Sequence, residues 1–335
     1  MARAGMEAKL AWRGVPLAVR RETGRLLGAP VARGARVWGG YGPAPTFRLR
    51  LADGRRAFFK GVHGASSDFA RDALAAEERV YRELGTVIAP WSPRYFGALR
   101  VADWRALLLE DVGPPSAPPW TPSLTRRVAH AYADFHAATL GAALPDWLEP
   151  PARPFGEATW ERVAARTDGL RAVAALASAR ADEAHAWLVA ARPALAQAGD
   201  QATALDGPLA LLHLDTRSDN LRWTGGRLAL FDWPWAGVGR PEFDVVPFAQ
   251  SVTVDGGAAP EQVVAWYAER LPLRAAALDA AVAWLAAFFA LNAWQPDVPE
   301  LPRLRSFQRR QLAVVLRWAA RRLDLPDPVW VAALA

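Results

Sequence analysis

Polar and apolar residues alternate along Thr46-Phe47-Arg48-Leu49-Arg50-Leu51, and Asp53-Gly54 separates this run from Arg56-Ala57-Phe58-Phe59-Lys60. A period of two on either side of an Asp-Gly pair predicts a β-hairpin. Upstream, Pro16 to Leu27 has helical spacing and stops at Gly28. Downstream, Ser66 to Leu84 reads as an amphipathic helix with Phe69, Leu74, Val80 and Tyr81 among its apolar positions. Arg94 to Val101 and Arg105 to Leu109, separated by Asp103, predict two further strands. The run Pro114-Pro115-Ser116-Ala117-Pro118-Pro119 then forms a stiff connector. Beyond it helical spacing dominates, over residues 122–140, 157–166, 169–198, 260–270, 274–292 and 303–323. Short strands around His213 and Asp232, joined by Thr224-Gly225-Gly226, interrupt that series. The pattern therefore predicts a strand-rich domain over residues 1–112 and a helix-rich domain over residues 113–335.

Composition narrows the function classes. A chain of 335 residues with 52% hydrophobic residues and 16 Trp has the apolar area for two packed domains rather than disorder. The absence of Cys excludes disulfides and thiolate metal sites and fits a reducing compartment. No uninterrupted apolar core marks Met1 to Arg20, and the longest apolar run, Ala280 to Leu291, is too short to span a bilayer. A cytoplasmic protein without a membrane partner is expected. The net charge is +6, but the cations are almost all Arg, dispersed among acids with no basic block, which argues against a nucleic-acid partner.

Within that Arg-rich background there are two lysines, Lys9 and Lys60, and Lys60 lies inside an apolar strand between Phe59 and Gly61. A compact ammonium reaches a phosphate where a planar guanidinium would not fit. The other concentration of chemistry is His213-Leu214-Asp215-Thr216-Arg217-Ser218-Asp219-Asn220, followed by Asp232 in Leu230-Phe231-Asp232-Trp233. An Asp five residues before an Asn, with a second Asp closing the next strand, is the spacing of a phosphoryl-transfer loop. The first Asp orients a hydroxyl, while the Asn and second Asp hold a metal on nucleotide phosphates.

These residues resemble the aminoglycoside phosphotransferase/choline-kinase-like family of the protein kinase-like superfamily, from Trp38 to the C-terminal helix. The family pattern His-x-Asp-x-x-x-x-Asn matches His213, Asp215 and Asn220. Its strand-end Asp matches Asp232-Trp233, and its Gly-x-Pro-x-x-Asp turn matches Gly239 to Asp244. A Leu-x-x-Leu-His element resembles Ala131-Tyr132-Ala133-Asp134-Phe135-His136. The resemblance implies an α+β, two-lobed kinase-like fold with a small antiparallel-sheet lobe and a larger, mostly helical lobe. It implies Asp215 as catalytic base, Arg217 near the transferring phosphoryl group, and Asn220 and Asp232 as Mg²⁺ ligands with ATP or GTP as donor. His213 and Asp244 brace the loop. Lys60 bridges phosphates with a carboxylate partner at Glu77 or, alternatively, Glu78; Gly40 and Gly42 cover the phosphates; Glu110 to Val112 form the segment that holds the base edge. The expected partners are a nucleoside triphosphate and a small hydroxylated acceptor, with the chain a monomer or homodimer. The competing reading is a nucleotide-sensing module without transfer activity.

The acceptor is less visible. From Glu261 onward there are nine Arg and seven acids, so the segment is not acidic; its marked residues are Trp266, Trp284, Phe288, Phe289, Trp294, Phe307 and Trp318. Helical spacing places most of these in a core. The balance points away from a polycationic aminoglycoside and toward a neutral hydroxylated small molecule.

Overall fold

A computed structural model describes residues 9–38, 44–151, 158–165, 168–200, 206–299 and 301–334. The first elements are α1 (Leu17–Leu27), β1 (Val31–Arg36), β2 (Thr46–Leu51), β3 (Arg56–Val62), α2 (Asp68–Glu83), α3 (Gly85–Ile88), β4 (Tyr95–Val101) and β5 (Trp104–Leu109). Helices α4 (Pro122–Thr139), α5 (Trp160–Ala165), α6 (Gly169–Ala175) and α7 (Ala181–Asp200) come next. Four short strands follow, β6 (Ala210–Leu212), β7 (Leu221–Thr224), β8 (Arg227–Leu230) and β9 (Gly237–Gly239). Then come α8 (Glu242–Val254), α9 (Pro260–Ala268), α10 (Ala275–Asn292) and α11 (Leu304–Arg322).

The elements form two compact units. The sheet unit comprises Met1–Ser116, Asp219–Trp235 and Val298–Arg303; the helical unit comprises Ala117–Ser218, Ala236–Asp297 and Leu304–Ala335. Relative to a division at residue 112, the β7–β8 hairpin groups with the sheet. Its fastenings explain why. Trp223 N–H donates to Ser116 Oγ at 2.8 Å, and Arg227 reaches Ser92 O and the Glu110 carboxylate, both at 3.0 Å.

In the sheet unit five antiparallel strands run in the order β1-β2-β3-β5-β4. The alternation of β2 and β3 sends Phe47, Leu49, Leu51, Ala57 and Phe59 to one face, where they pack with Trp12, Val15, Val19 and Leu27. Trp12 meets Phe47 and Phe59 edge-on at 5.1 and 5.4 Å. The opposite face takes the alternate residues, so Lys60, opposite Thr46 on β2 and Leu107 on β5, points away from that core. Strand β1 was not evident in the pattern: it pairs only with β2, at the sheet edge, and Val-Ala-Arg-Gly-Ala-Arg buries none of its side chains fully. Helix α2 begins at Ser67, whose hydroxyl accepts from Ala70 N–H, and buries Leu74, Glu77, Val80 and Tyr81 on one side.

In the helical unit α10 packs against α7, α8 and α11. Although α10 is long and apolar enough to cross a bilayer, most of its side chains are buried within the protein, as a core helix requires. The predicted helix over 169–198 is broken between α6 and α7 by a 3-10 turn at Ser178–Arg180, where Ser178 has φ +52°. Helix α8 left no amphipathic signal because Glu242 through Val252 are all buried, so no polar stripe exists to set a period.

Candidate active site

The sequence-marked residues gather into two clusters, one in each unit. In the sheet unit, Lys60 Nζ lies 2.5 Å from Glu77 Oε2 and 2.6 Å from Asp232 Oδ1. The other Glu77 oxygen accepts from Asp232 N–H at 3.1 Å. Glu77 is fully buried, and helical spacing carries it to the Lys60 side with Leu74 and Tyr81. Its neighbour Glu78 pairs instead with Arg100, at 3.1 Å, so of the two carboxylates it is Glu77 that lies beside Lys60. Burial opposes the Lys60 charge, but the Asp232 and Glu77 carboxylates outweigh it and hold the ammonium above an ordinary lysine pKa. Burial, together with the nearby Asp232 charge, pushes Glu77 up despite the pull of Lys60.

Asp232 adopts φ +67°, a left-handed conformation that Asp tolerates better than most residues. The hairpin sets its distance from Asn220: Phe231 N–H donates to Asn220 O at 3.0 Å. Among the described residues no group of three or more His, Asp or Glu side chains forms a metal cage. The side chains of Asn220 and Asp232 each carry a hard oxygen of the kind that suits Mg²⁺, which keeps several waters and shares substrate phosphates.

Glu110 carries a structural load: its carboxylate accepts from Arg94 N–H and Arg227, and its own N–H donates to Arg94 O. Half-buried Val112 follows it, between Asp111 and Gly113. Gly40 and Gly42 lie outside the described residues. Beside this segment stand two residues that the sequence did not single out. Arg48 lies 3.5 Å from Asp111 and also donates to Gly113 O. Arg222 sits 5.0 Å over the Phe231 ring, and burial together with the nearby Arg48 charge lowers its pKa to about 10. In so Arg-rich a chain neither arginine stands out by type.

In the helical unit a buried carboxylate organises the loop. Asp244, at the start of α8, accepts from His213 N–H and Leu214 N–H, both at 2.6 Å. His136 Nε2, on α4, lies 3.1 Å from Asp244 Oδ2, and its Nδ1 lies 2.7 Å from Tyr267 OH on α9. Burial alone would raise the Asp244 pKa, but the hydrogen bond and charge of His136, with His213, hold it below an ordinary aspartate. An ionised Asp244 only accepts, so the His136 Nε2 proton points at it. Thr216 Oγ1 donates to Asp244 O at 3.0 Å. Further along, Ser218 N–H donates to Ser251 Oγ at 3.1 Å, and Trp120 Nε1 donates to Ser218 Oγ at 2.9 Å.

The brace holds Leu214 at φ +62°, a conformation costing an L-residue about 1–2 kcal/mol. It presents Asp215, whose N–H donates to His213 Nδ1 at 3.2 Å. Arg217 binds the Asp215 carboxylate with Nε at 2.9 Å and Nη2 at 3.3 Å, and lies 5.5 Å over the Phe307 ring of α11. Ser251, Trp120, Thr216 and Tyr267 were invisible as site residues, because each acts only through contacts made across the sequence.

The model of the phosphotransferase enzyme family matches residues 34–278. No curated protein matches the chain. Among solved structures, a thermostable aminoglycoside phosphotransferase, APH(4)-Ia, in complex with ADP and hygromycin B, is similar at TM-score 0.54 and 16% identity, over 94% of this chain and 98% of that one. An amicoumacin kinase in complex with AMP-PNP, Ca²⁺ and Ami gives TM-score 0.56 at 12% identity, over 83% and 87%. A choline/ethanolamine kinase family protein from Mesorhizobium loti gives 0.53 at 17% identity, over 95% and 99%. Those likenesses are of fold, and they agree with the antiparallel sheet and helical unit described above. The family match spans most of the chain and takes in both clusters, so the protein belongs to the phosphotransferase enzyme family and is a small-molecule kinase of kinase-like α+β fold.

Proposed function

We propose that the protein transfers the γ-phosphoryl group of ATP or GTP to a hydroxyl of a small molecule, with Asp215 as base. The acceptor oxygen bonds to phosphorus as the bridging P–O bond breaks; its proton passes to Asp215, and the nucleoside diphosphate leaves. Lys60 would bind the phosphates with Glu77 orienting it, and Asn220 and Asp232 would hold Mg²⁺. When bound, the ion neutralises phosphate charge that develops during transfer. The observation that carries this reading is the Lys60 ammonium held between the Glu77 and Asp232 carboxylates, at 2.5 and 2.6 Å. The nucleotide-bound states of the similar aminoglycoside and amicoumacin kinases support a nucleotide donor, and Ca²⁺ in the latter supports a divalent ion.

Arg217 has two roles in this scheme. It pairs with the Asp215 carboxylate, and it would move onto the transferring phosphoryl group. The same ion pair is the observation that favours the second reading, a nucleotide-sensing module whose Asp215 stays occupied. Asp215→Ala separates the two. Phosphotransfer requires that nucleotide binding survive while turnover falls by about 10²–10⁴. Wild-type protein that binds nucleotide with magnesium, yet phosphorylates nothing in a broad alcohol panel, would favour the sensor.

A further inference from the structure

Two guanidinium groups stand together in the sheet unit, on the side of the sheet that carries Lys60. Alternation along β2 gives Arg48 the same face as Lys60: Arg48 lies opposite Phe58 on β3, and Thr46 lies opposite Lys60. The two cations are thus about 7 Å apart along the strands. Arg48 reaches the segment that follows β5, where it lies 3.5 Å from Asp111 and donates to Gly113 O. Strand β7 is fastened to the same stretch of chain by Trp223 N–H, which donates to Ser116 Oγ at 2.8 Å. Its Arg222 guanidinium lies 5.0 Å over the ring of Phe231, the residue before Asp232. Arg222 Nη1 donates to Leu221 O at 2.6 Å and to Asp219 O at 3.3 Å, while Nε is buried without a protein partner. Burial and the Arg48 charge lower the Arg222 pKa to about 10 against the opposing pull of Asp219 and Asp111, as expected of two cations held close.

A half-buried cation with an unmet N–H costs stability until an acceptor reaches it. A guanidinium stacked on a ring uses its flat face there and keeps its in-plane N–H groups for hydrogen bonds, and it has donors only. On the phosphotransfer reading Lys60 and Asp232 serve the phosphates and residues 110–112 the base edge, which brings the base to this pair of arginines. Adenine presents N7 as an acceptor beside a 6-amino donor, so one of its two groups meets the arginines donor against donor. Guanine presents two acceptors, O6 and N7, at the spacing of a guanidinium fork. The neighbouring backbone does little to redress this for adenine. Gly113 O already accepts from Arg48, Gly113 N–H donates to Asp111 Oδ1, and Glu110 N–H donates to Arg94 O.

We infer that this site takes a guanine nucleotide in preference to an adenine nucleotide, with Arg222 and Arg48 donating to O6 and N7 of the base; the inference rests on the phosphotransfer reading for where the nucleotide lies. The test measures binding of GDP, ADP and IDP by calorimetry with Mg²⁺, and transfer from GTP and ATP to a panel of alcohols. The hypoxanthine base of IDP keeps O6 and N7 and lacks the 2-amino group, so it isolates the two acceptors. GDP should bind at least about tenfold tighter than ADP, the discrimination of one bidentate pair, and IDP within about threefold of GDP. In Arg222→Met, which keeps an apolar stem over Phe231, the GDP-to-ADP ratio should fall below about threefold through loss of GDP affinity. Arg222→Lys, which keeps the charge but not the fork, should lose most of the ratio as well. Affinity for inorganic tripolyphosphate reports an intact phosphate end in each variant; where it collapses, the order of the three nucleotides on the wild-type protein decides alone. Equal affinity for GDP and ADP, tighter binding of ADP, IDP binding like ADP, or a ratio that survives in Arg222→Met and Arg48→Met overturns the inference. A guanine preference without transfer to any alcohol leaves it standing and removes the phosphotransfer reading; transfer with equal use of ATP and GTP and no preference in binding does the reverse.

Discussion

Replacing Asp244 with Asn keeps its shape and removes its charge and one acceptor. The carboxylate accepts two N–H bonds at 2.6 Å, from His213 and Leu214, and a third contact at 3.1 Å from His136. An amide placed with its oxygen toward Leu214 turns its NH₂ toward the His213 N–H and the His136 Nε2 proton, donor against donor. Two charge-assisted bonds are lost at about 1.5–3 kcal/mol each, so Asp244→Asn should cost about 3–6 kcal/mol, comparable to breaking a buried charge pair. Leu214 keeps its bond, now to a neutral amide oxygen, so its hold at φ +62° weakens. Because the protein has two units, a single unfolding curve need not be two-state; hydrogen exchange of the 213–215 amides reports the loss locally. The folded pKa of Asp244 is depressed, so its stabilisation is present above the ordinary value of 3.8 and is lost as pH falls through the folded value. The gap between wild type and variant should therefore narrow as pH drops below about 4. A cost under about 1 kcal/mol with unchanged loop protection would refute the brace, and so would a gap that widens on acidification.

Three further outcomes follow from particular contacts. Lys60→Met should weaken nucleotide binding by about 10–100-fold, the loss of a charge-assisted phosphate bond, measured by calorimetry. It also leaves buried Glu77 beside Asp232 without its ammonium. A carboxylate whose folded pKa is raised costs stability increasingly as pH rises above its ordinary value of 4.5, so the drop in melting temperature should grow as the pH is raised. Gly237→Ala would place a Cβ 2.5 Å from Glu149 O and 3.1 Å from Leu214 Cδ1; a loss of about 1–3 kcal/mol together with reduced turnover is expected, since Leu214 carries Asp215. Tyr81→Phe should be neutral or stabilising by up to about 1 kcal/mol in thermal denaturation, because its buried hydroxyl has no protein partner.

Local chemistry decided what was legible. The β2–β3 hairpin declared itself by alternation and an Asp-Gly turn, α2 by its apolar side, and Lys60 by its rarity among arginines. The motif residues His213, Asp215, Asn220, Asp232 and Asp244 were readable because their spacing along the chain is itself the signal. Strand β1 was not, since an edge strand with no fully buried side chain needs little hydrophobic pattern. Helix α8 was lost for the opposite reason, being buried through Val252 with no polar side. Contacts such as Trp120 with Ser218, or Arg217 with Phe307, join residues about a hundred positions apart, and no periodicity encodes them.

The same device recurs in both clusters. Two functional loops contain a non-glycine residue at positive φ, Leu214 at +62° and Asp232 at +67°. Each such residue donates its N–H to a fully buried carboxylate on a helix, Asp244 on α8 and Glu77 on α2. A left-handed residue costs about 1–3 kcal/mol, and a charged acceptor returns about 1.5–3 kcal/mol, so the two nearly offset. The loops are therefore held in conformations they would not choose alone, by acids that are themselves unable to reach solvent. Each acid is in turn fixed by a cation or a histidine: Lys60 at 2.5 Å for Glu77, His136 at 3.1 Å for Asp244. The proposed chemistry at Asp215 and Asp232 is thus set by two buried carboxylates whose protonation would release the loops, so Asp244→Asn and Glu77→Gln should both lower turnover, with the nucleotide affinity falling only in the second. Equal loss of nucleotide affinity in both variants would show instead that the clusters unfold together.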